Sequence, residues 1–265
     1  MSILTDFREM ISEQADYREL MYQLTVRDLK LRYKHTVMGF GWAVFMPLLN
    51  TALFSVIFTR VAPIETPSPY PVWAYCGLAA WNFFASGIKF ATNSLSSNMP
   101  LVTKVYFPRE VLPVSAVIVS AVDFLVAGTV LAAMMIWYGV VPGWTLLFVP
   151  VLMLVQGIFT VAIALFLSMA NVFYRDVKYV VEALVMVWMF ATSVVYPIHL
   201  IGGRLGTVLA FNPLTPLVDA YRATILENRM PEPGAFLYVT AVSLVLLLAS
   251  WLTFHRAEFK FAENV

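Results

Sequence analysis

The sequence predicts an all-α integral membrane protein with six transmembrane helices, an amino-terminal interfacial helix, a short cytoplasmic helix and short outer re-entrant helices between spans five and six. Three observations carry this. First, 60% of the 265 residues are hydrophobic and 12% charged, more apolar surface than one soluble core can cover, so the chain needs lipid as a solvent. Second, uncharged runs recur at about 20 residues, the length that crosses a hydrocarbon core of about 30 Å at about 1.5 Å per residue. Third, Lys and Arg collect in alternate connections, as they do when basic loops are retained in the cytoplasm.

Residues 1–34 read as a cytoplasmic interfacial helix. Asp16 and Glu19 make a capping-box-like start, and Tyr17, Leu20, Leu24 and Leu31 recur at helical spacing. A solvated juxtamembrane segment with positive-inside charges is the alternative. This long polar opening is not a secretory signal, so the first apolar run is expected to stay.

That run, 37–59, holds no charge between Lys34 with His35 on one side and Arg60 on the other. The remaining spans are expected at 71–94, 111–138, 144–170, 179–199 and 234–254, with 255–265 as a cytoplasmic tail. Gly139 to Gly143 make the short turn between the third and fourth. An even number of crossings puts both termini on one side. With the amino terminus inside, the cytoplasmic segments hold Arg8, Arg18, Arg27, Lys30, Arg32, Lys34, Lys104, Arg109, Arg175, Lys178, Arg256 and Lys260. The outer segments hold Arg60, Arg204, Arg222 and Arg229. Trp73, Tyr75, Trp137, Tyr138 and Trp144 cluster at outer ends, where amphipathic rings sit at headgroup level.

Between spans two and three, Pro100 suits a helix's first turn and Pro108 disfavours helix in the residue before it, so a short helix is expected at 100–107. Val102, Val105, Tyr106 and Phe107 are too apolar for a free loop. They fit docking into another protein, or packing against this protein's own helix ends. The outer connection 201–233 carries Pro216 after Thr215, then Leu217, Ala220, Tyr221, Thr224 and Ile225 along one helical face, with Asn212-Pro213 as a turn. Irregular backbone at membrane depth requires cover from protein or a water-filled cavity, so this segment is expected to border a pore.

Several chemistries find no support. No Gly-x-x-x-x-Gly-Lys-Ser/Thr loop occurs, and His35, His199 and His255 form no hydrolase or metal motif. The lone Cys76 excludes an internal disulfide, and a net charge of +1 gives no basis for nucleic-acid binding. Of the ionisable residues in spans, Asp123 is deepest, while Lys89 and Glu182 lie near ends. Asp123 could serve an ion relay or be hydrogen-bonded at a helix contact, with Ser120 or Thr129 in reach. Phe40, Trp42, Phe45, Phe54 and Phe58 in the first span, Trp81, Phe83 and Phe84 in the second, and Trp188, Phe190 and Tyr196 in the fifth exceed what interfacial belts require. Flat rings stack on sugar C–H faces without a fixed register, which suits a sliding polymer; for each single ring, lipid-facing or core packing is the alternative.

Four patterns together resemble the permease subunits of ABC-2 type polysaccharide exporters, which handle O-antigen, capsule or teichoic acid. They are Arg32-Tyr33-Lys34 with Gly39, Trp42 and Pro47; Leu101 with Lys104 to Glu110 and Pro113; Tyr174-Arg175-Asp176-Val177; and Tyr196-Pro197 with Asn212-Pro213. The resemblance covers essentially the whole chain. It implies a homodimeric pore in the cytoplasmic (inner) membrane of a bacterium, assembled with two copies of a separate ATPase that carries the ATP and Mg and drives a lipid-linked glycan outward. No cofactor, metal or catalytic residue is implied for this chain.

In such a protein the short helix would be a coupling helix, with Leu101, Lys104, Tyr106, Phe107, Arg109 and Glu110 meeting the ATPase. Phe173, Tyr174, Arg175 and Asp176 would form the substrate entrance, where Arg175 is able either to hold a pyrophosphate or to pair with Asp176 or Glu182. Phe40, Trp42, Phe45, Trp188 and Tyr196 would line the channel, and Asn212, Pro213 and Tyr221 would belong to an outer gate. An ABC-2 exporter of another lipid or drug, and an ion-coupled secondary transporter using Asp123 and Lys89, are the alternatives.

Overall fold

The computed structural model describes residues 16–34, 39, 41–105 and 107–258. Residues 1–15 of the expected interfacial helix, the opening of the first span with His35 and Phe40, Tyr106, and 259–265 of the tail lie outside the described residues. The described residues form ten α-helices and no strand. They are α1 (Arg18–Tyr33), α2 (Gly41–Val56), α3 (Tyr70–Ser97), α4 (Met99–Lys104), α5 (Val111–Tyr138), α6 (Val149–Phe173), α7 (Val177–Phe190), α8 (Gly203–Ala210), α9 (Leu214–Ile225) and α10 (Pro233–Glu258).

Among the described residues, four helical runs are long and apolar enough to cross a membrane: Gly41–Val61, Val111–Tyr138, Trp144–Phe173 and Pro233–Ala257. The first joins α2 to a π-helical turn at Ile57–Val61, and the third begins with a 3-10 turn at Trp144–Phe148. They coincide with the expected first, third, fourth and sixth spans.

The second expected span behaves differently. α3 has 28 residues, about 42 Å at the α-helical rise, but is less apolar because other helices cover it instead of lipid. It packs against α2, α5, α6, α7 and α9 and is buried along most of its length. The expected fifth span, 179–199, is interrupted: α7 ends at Phe190 after 14 residues, and a 3-10 turn follows at Ile198–Leu200. At about 21 Å, α7 is too short to cross a hydrocarbon core of about 30 Å alone.

One apolar cluster marks one end of the molecule, and a second extends from the other end through the middle. Leu24 of α1, Leu95 near the end of α3, Val102 of α4, Val111 and Leu112 at the start of α5, Leu165 of α6 and Phe254 of α10 form one. Tyr70 at the start of α3, Met135 near the end of α5, Leu152 of α6 and Leu226 after α9, with Phe236 of α10, belong to the other. α3, α6 and α10 therefore run in one direction and α5 in the other.

Interhelical hydrogen bonds supplement packing where lipid gives helices no hydrophobic reason to associate. The fully buried Gln156 of α6 donates to the Ala80 carbonyl of α3 at 2.7 Å, and the Tyr75 hydroxyl donates to the Ala127 carbonyl of α5 at 3.2 Å. Such bonds contribute about 0.6 to 2 kcal/mol each. α5 stops at Gly139, whose φ of 70° is left-handed, while the Val140 N–H donates back to the Met135 carbonyl at 2.9 Å. Glycine is the residue that adopts this geometry without a Cβ penalty.

α1 departs from its expected apolar stripe. Tyr17, Leu20 and Leu24 join the first cluster, but Leu31 is 69% exposed. The residues that turn inward in the last turn are Arg32 and Tyr33, which both reach the carboxylate of Asp123 on α5.

Candidate functional site

The end that carries α1 and α4 presents a short exposed face. α4 has Pro100 in its first turn and ends where Val105 is extended, as its flanking prolines require. Val102 and Phe107 turn into the protein's own cluster, whereas Thr103, Lys104 and Val105 are exposed and Leu101 is half-buried. Arg109 is half-buried and Glu110 fully buried, with its Oε1 3.6 Å from Nδ1 of His255 on α10. The expected coupling residues thus divide: Phe107 and Glu110 fix the loop from within, and Lys104 faces outward beside Val105.

Phe173, Tyr174, Arg175 and Asp176 form a continuous exposed stretch between α6 and α7, with Tyr174 72% exposed. Arg175 makes no ion pair with Asp176 or Glu182, so its planar fork is open to an anion. The stretch is held by Asn171, which sequence reasoning missed. Its buried Nδ2 donates to Ser96 Oγ of α3 at 3.1 Å, and its Oδ1 accepts from the Lys178 N–H at 3.2 Å.

The expected channel rings also divide. Trp42 and Phe45 lie exposed on α2, edge to face at 5.8 Å. Phe54 of α2 and Phe58 of the π-helical turn pack on the same cluster as Val181, Val185 and Trp188 of α7, and both α2 and α7 contact α3. Trp188 is pinned: its ring meets Phe84 edge-on at 5.1 Å and its indole N–H donates to Asn212 Oδ1 at 3.1 Å. Tyr196 is half-buried, with its hydroxyl donating to the Phe190 carbonyl.

At the opposite end, irregular backbone is held by two side chains. Asn212 donates from Nδ2 to the Ala191 carbonyl at 3.0 Å and to Thr192 Oγ1 at 2.8 Å, and its Oδ1 also accepts the Leu214 N–H at 3.2 Å. Pro213 stands at the cap position of α9. Arg222 of α9, 2% exposed, donates to the Ser193 and Val194 carbonyls at 2.6 Å each and to the Trp73 carbonyl at 3.3 Å. It also pairs with Asp219 at 3.2 Å and lies 3.3 Å over the Trp73 ring. The broken helix after α7 therefore leaves its carbonyls satisfied by a guanidinium, as buried backbone requires.

Gly77 of α3 makes room for this arrangement: a Cβ there would come 2.2 Å from Arg222 Nη2 and 2.6 Å from the Val194 carbonyl oxygen. The sequence reading counted Arg222 as one more outer charge. The available signal was its place on the otherwise apolar row of Val218, Tyr221 and Ile225. Tyr221 is fully buried, with its ring 5.3 Å from Phe124 of α5. Beside them lies an open cavity of about 520 Å³ bordered by Trp73, Pro197, Asp219, Arg222, Glu227 and Phe236.

Asp123 is neither free nor bonded to Ser120 or Thr129. Arg32 Nη1 pairs with its Oδ2, and the Tyr33 hydroxyl donates to its Oδ1. Burial first, and the neighbouring Asp123 second, hold the Tyr33 phenol above its usual range, so it remains a donor. The Arg32 guanidinium also lies 3.7 Å over the Phe90 ring of α3. Lys89 is exposed.

Residues 19–226 match the family model described as ABC-2 type transporter. The O-antigen export system permease protein RfbA of Myxococcus xanthus is 33% identical over 258 residues, covering 97% of this chain and 99% of that protein. The Klebsiella pneumoniae protein of the same name is 31% identical over 250 residues, 92% of this chain and 94% of its own. The polysialic acid transport protein KpsM of Escherichia coli is 22% identical over 253 residues, 89% of this chain and 92% of its own.

Proposed function

Because the chain belongs to the ABC-2 type transporter family, we propose that it is the membrane subunit of an ATP-driven exporter of a lipid-linked, O-antigen-like polysaccharide. The observation that carries this reading is identity of 33% spread over 97% of the chain with a permease named for O-antigen export. In this reading α3 and the interrupted segment from α7 to Pro197 complete six crossings, with α1, α4 and both termini in the cytoplasm, as the distribution of Lys and Arg supports. The chain works as a homodimer in a bacterial inner membrane. Two copies of a separate ABC ATPase carry the ATP and Mg and meet the Lys104 face.

The exposed Phe173–Asp176 stretch suits the entry of a lipid pyrophosphate, with Arg175 as its anion partner. Trp42 and Phe45 suit the path, and the Asn212 and Arg222 anchors suit an outer closure that must hold until substrate arrives. An ion-coupled transporter relying on Asp123 loses support, since both carboxylate oxygens are engaged by α1.

Co-purification with its cognate ATPase tests the assignment. A stable complex is expected, and Lys104→Glu with Val105→Asp should weaken ATPase association by about tenfold, as charge reversal and polar insertion do at a docking face. Failure of the wild-type chain to form a complex, or variants with unchanged association and export, would count against it.

A further inference from the structure

We infer that Arg32, Tyr33 and Asp123 form a transmission joint that passes ATPase movement from α1 to α5 and on to the outer closure, with Asp123 as its positioning residue. The inference rests on the ATP-driven reading above. Two consecutive residues at the end of α1 occupy both oxygens of one carboxylate that lies 91 and 90 positions away in sequence. Arg32 and Asp123 are each 16% exposed, and the face of Phe90 lies against the guanidinium. A desolvated pair of this kind is specific in geometry and expensive to separate.

The joint has a defined input. Leu24 of α1 and Val102 of α4 share one apolar cluster with Phe107, so α1 moves with the exposed Lys104 face. α5 is thereby gripped at two points: at its start through Glu110, Val111 and Leu112, and at Asp123, about 18 Å further along the helix. Two grips on one helix transmit tilt, which a single flexible loop does not.

The output is equally specific. Phe124, the next residue, lies 5.3 Å ring to ring from Tyr221, and Tyr221 precedes the arginine that holds the Ser193 and Val194 carbonyls. A shift of α5 at Asp123 therefore reaches the anchor of the outer closure through one ring contact. The Arg32-Tyr33 pair has no other assigned part in transport, and this geometry gives it one.

The test is the ratio of glycan exported to ATP hydrolysed by the complete complex in proteoliposomes. Asp123→Asn should leave assembly and ATP hydrolysis within about twofold and lower the ratio at least about fivefold, the scale of a lost coupling free energy. Arg32→Asp alone should do the same, and Arg32→Asp with Asp123→Arg should recover most of the ratio. Should the charge-changing variants fail to fold, Tyr33→Phe, which removes one hydrogen bond and leaves the ion pair, should still lower the ratio measurably. An unchanged ratio in Asp123→Asn, or in Tyr33→Phe where that variant is the one read, overturns the joint, as does a double variant no better than its singles. A wild-type complex that exports nothing with ATP overturns the ATP-driven reading itself, and the joint with it.

Discussion

Arg222 decides whether the broken helix after α7 is tolerable. Its guanidinium meets the carbonyls of Ser193, Val194 and Trp73 at once, a task for a planar fork that a lysine ammonium performs poorly. Arg222→Met fills a similar volume but strands the buried Ser193 and Val194 carbonyls, and should destabilise the fold by about 2 to 5 kcal/mol, at about 1 to 3 kcal/mol for each buried acceptor left without its donor; Asp219, partly exposed, keeps its bond from Ser193 Oγ. Arg222→Lys should recover only part of that. Gly77→Ala should be comparably damaging, because its Cβ would overlap Arg222 Nη2 and the Val194 oxygen. The two losses should be non-additive, since they act on one contact. Thermal unfolding in a fixed detergent would read all three, and a Gly77→Ala variant as stable as wild type would contradict the packing described.

Among the elements, α2 and α7 leave large apolar faces uncovered, as α10 does with Leu237, Leu244, Val245 and Leu248. α2 buries only Pro47 and Thr51, and α7 only Val181 and Val185. If α2 and α7 border a glycan path, Trp42→Leu with Phe45→Leu should reduce export by about tenfold while leaving ATP hydrolysis intact, since ring stacking is worth roughly 1 to 3 kcal/mol. An exporter of drugs or simple lipids should tolerate the same change. Trp188→Leu is a different experiment, because that ring is tied to Asn212 and Phe84; it should lower stability as well as export.

The long apolar spans were legible because lipid contact imposes a run of apolar residues: 111–138 coincides with α5 from end to end. α3 was legible by length but less apolar, its faces being covered by protein. The interruption after Phe190 was not legible, because the residues that stabilise it, Asn212 and Arg222, lie more than 20 positions downstream. Leu31 was misassigned for a related reason. The last inward residues of α1 are a charge and a phenol whose shared partner is on α5, and apolar periodicity does not register such a group.

At the scale of the whole molecule, two ends with different chemistry are joined by antiparallel helices. One end gathers α1, α4 and the exposed Phe173–Asp176 stretch; the other gathers the Asn212 and Arg222 anchors around an open cavity. That polarity fits a machine driven from one side and opened on the other. The most direct measurement of the central claim is the location of glycan in cells lacking the chain. The account predicts that lipid-linked glycan accumulates on the cytoplasmic side, leaves the cell surface bare, and returns to the surface when the wild-type chain is restored but not when the Lys104→Glu, Val105→Asp variant is. Surface glycan at its normal level in cells without the chain would contradict it.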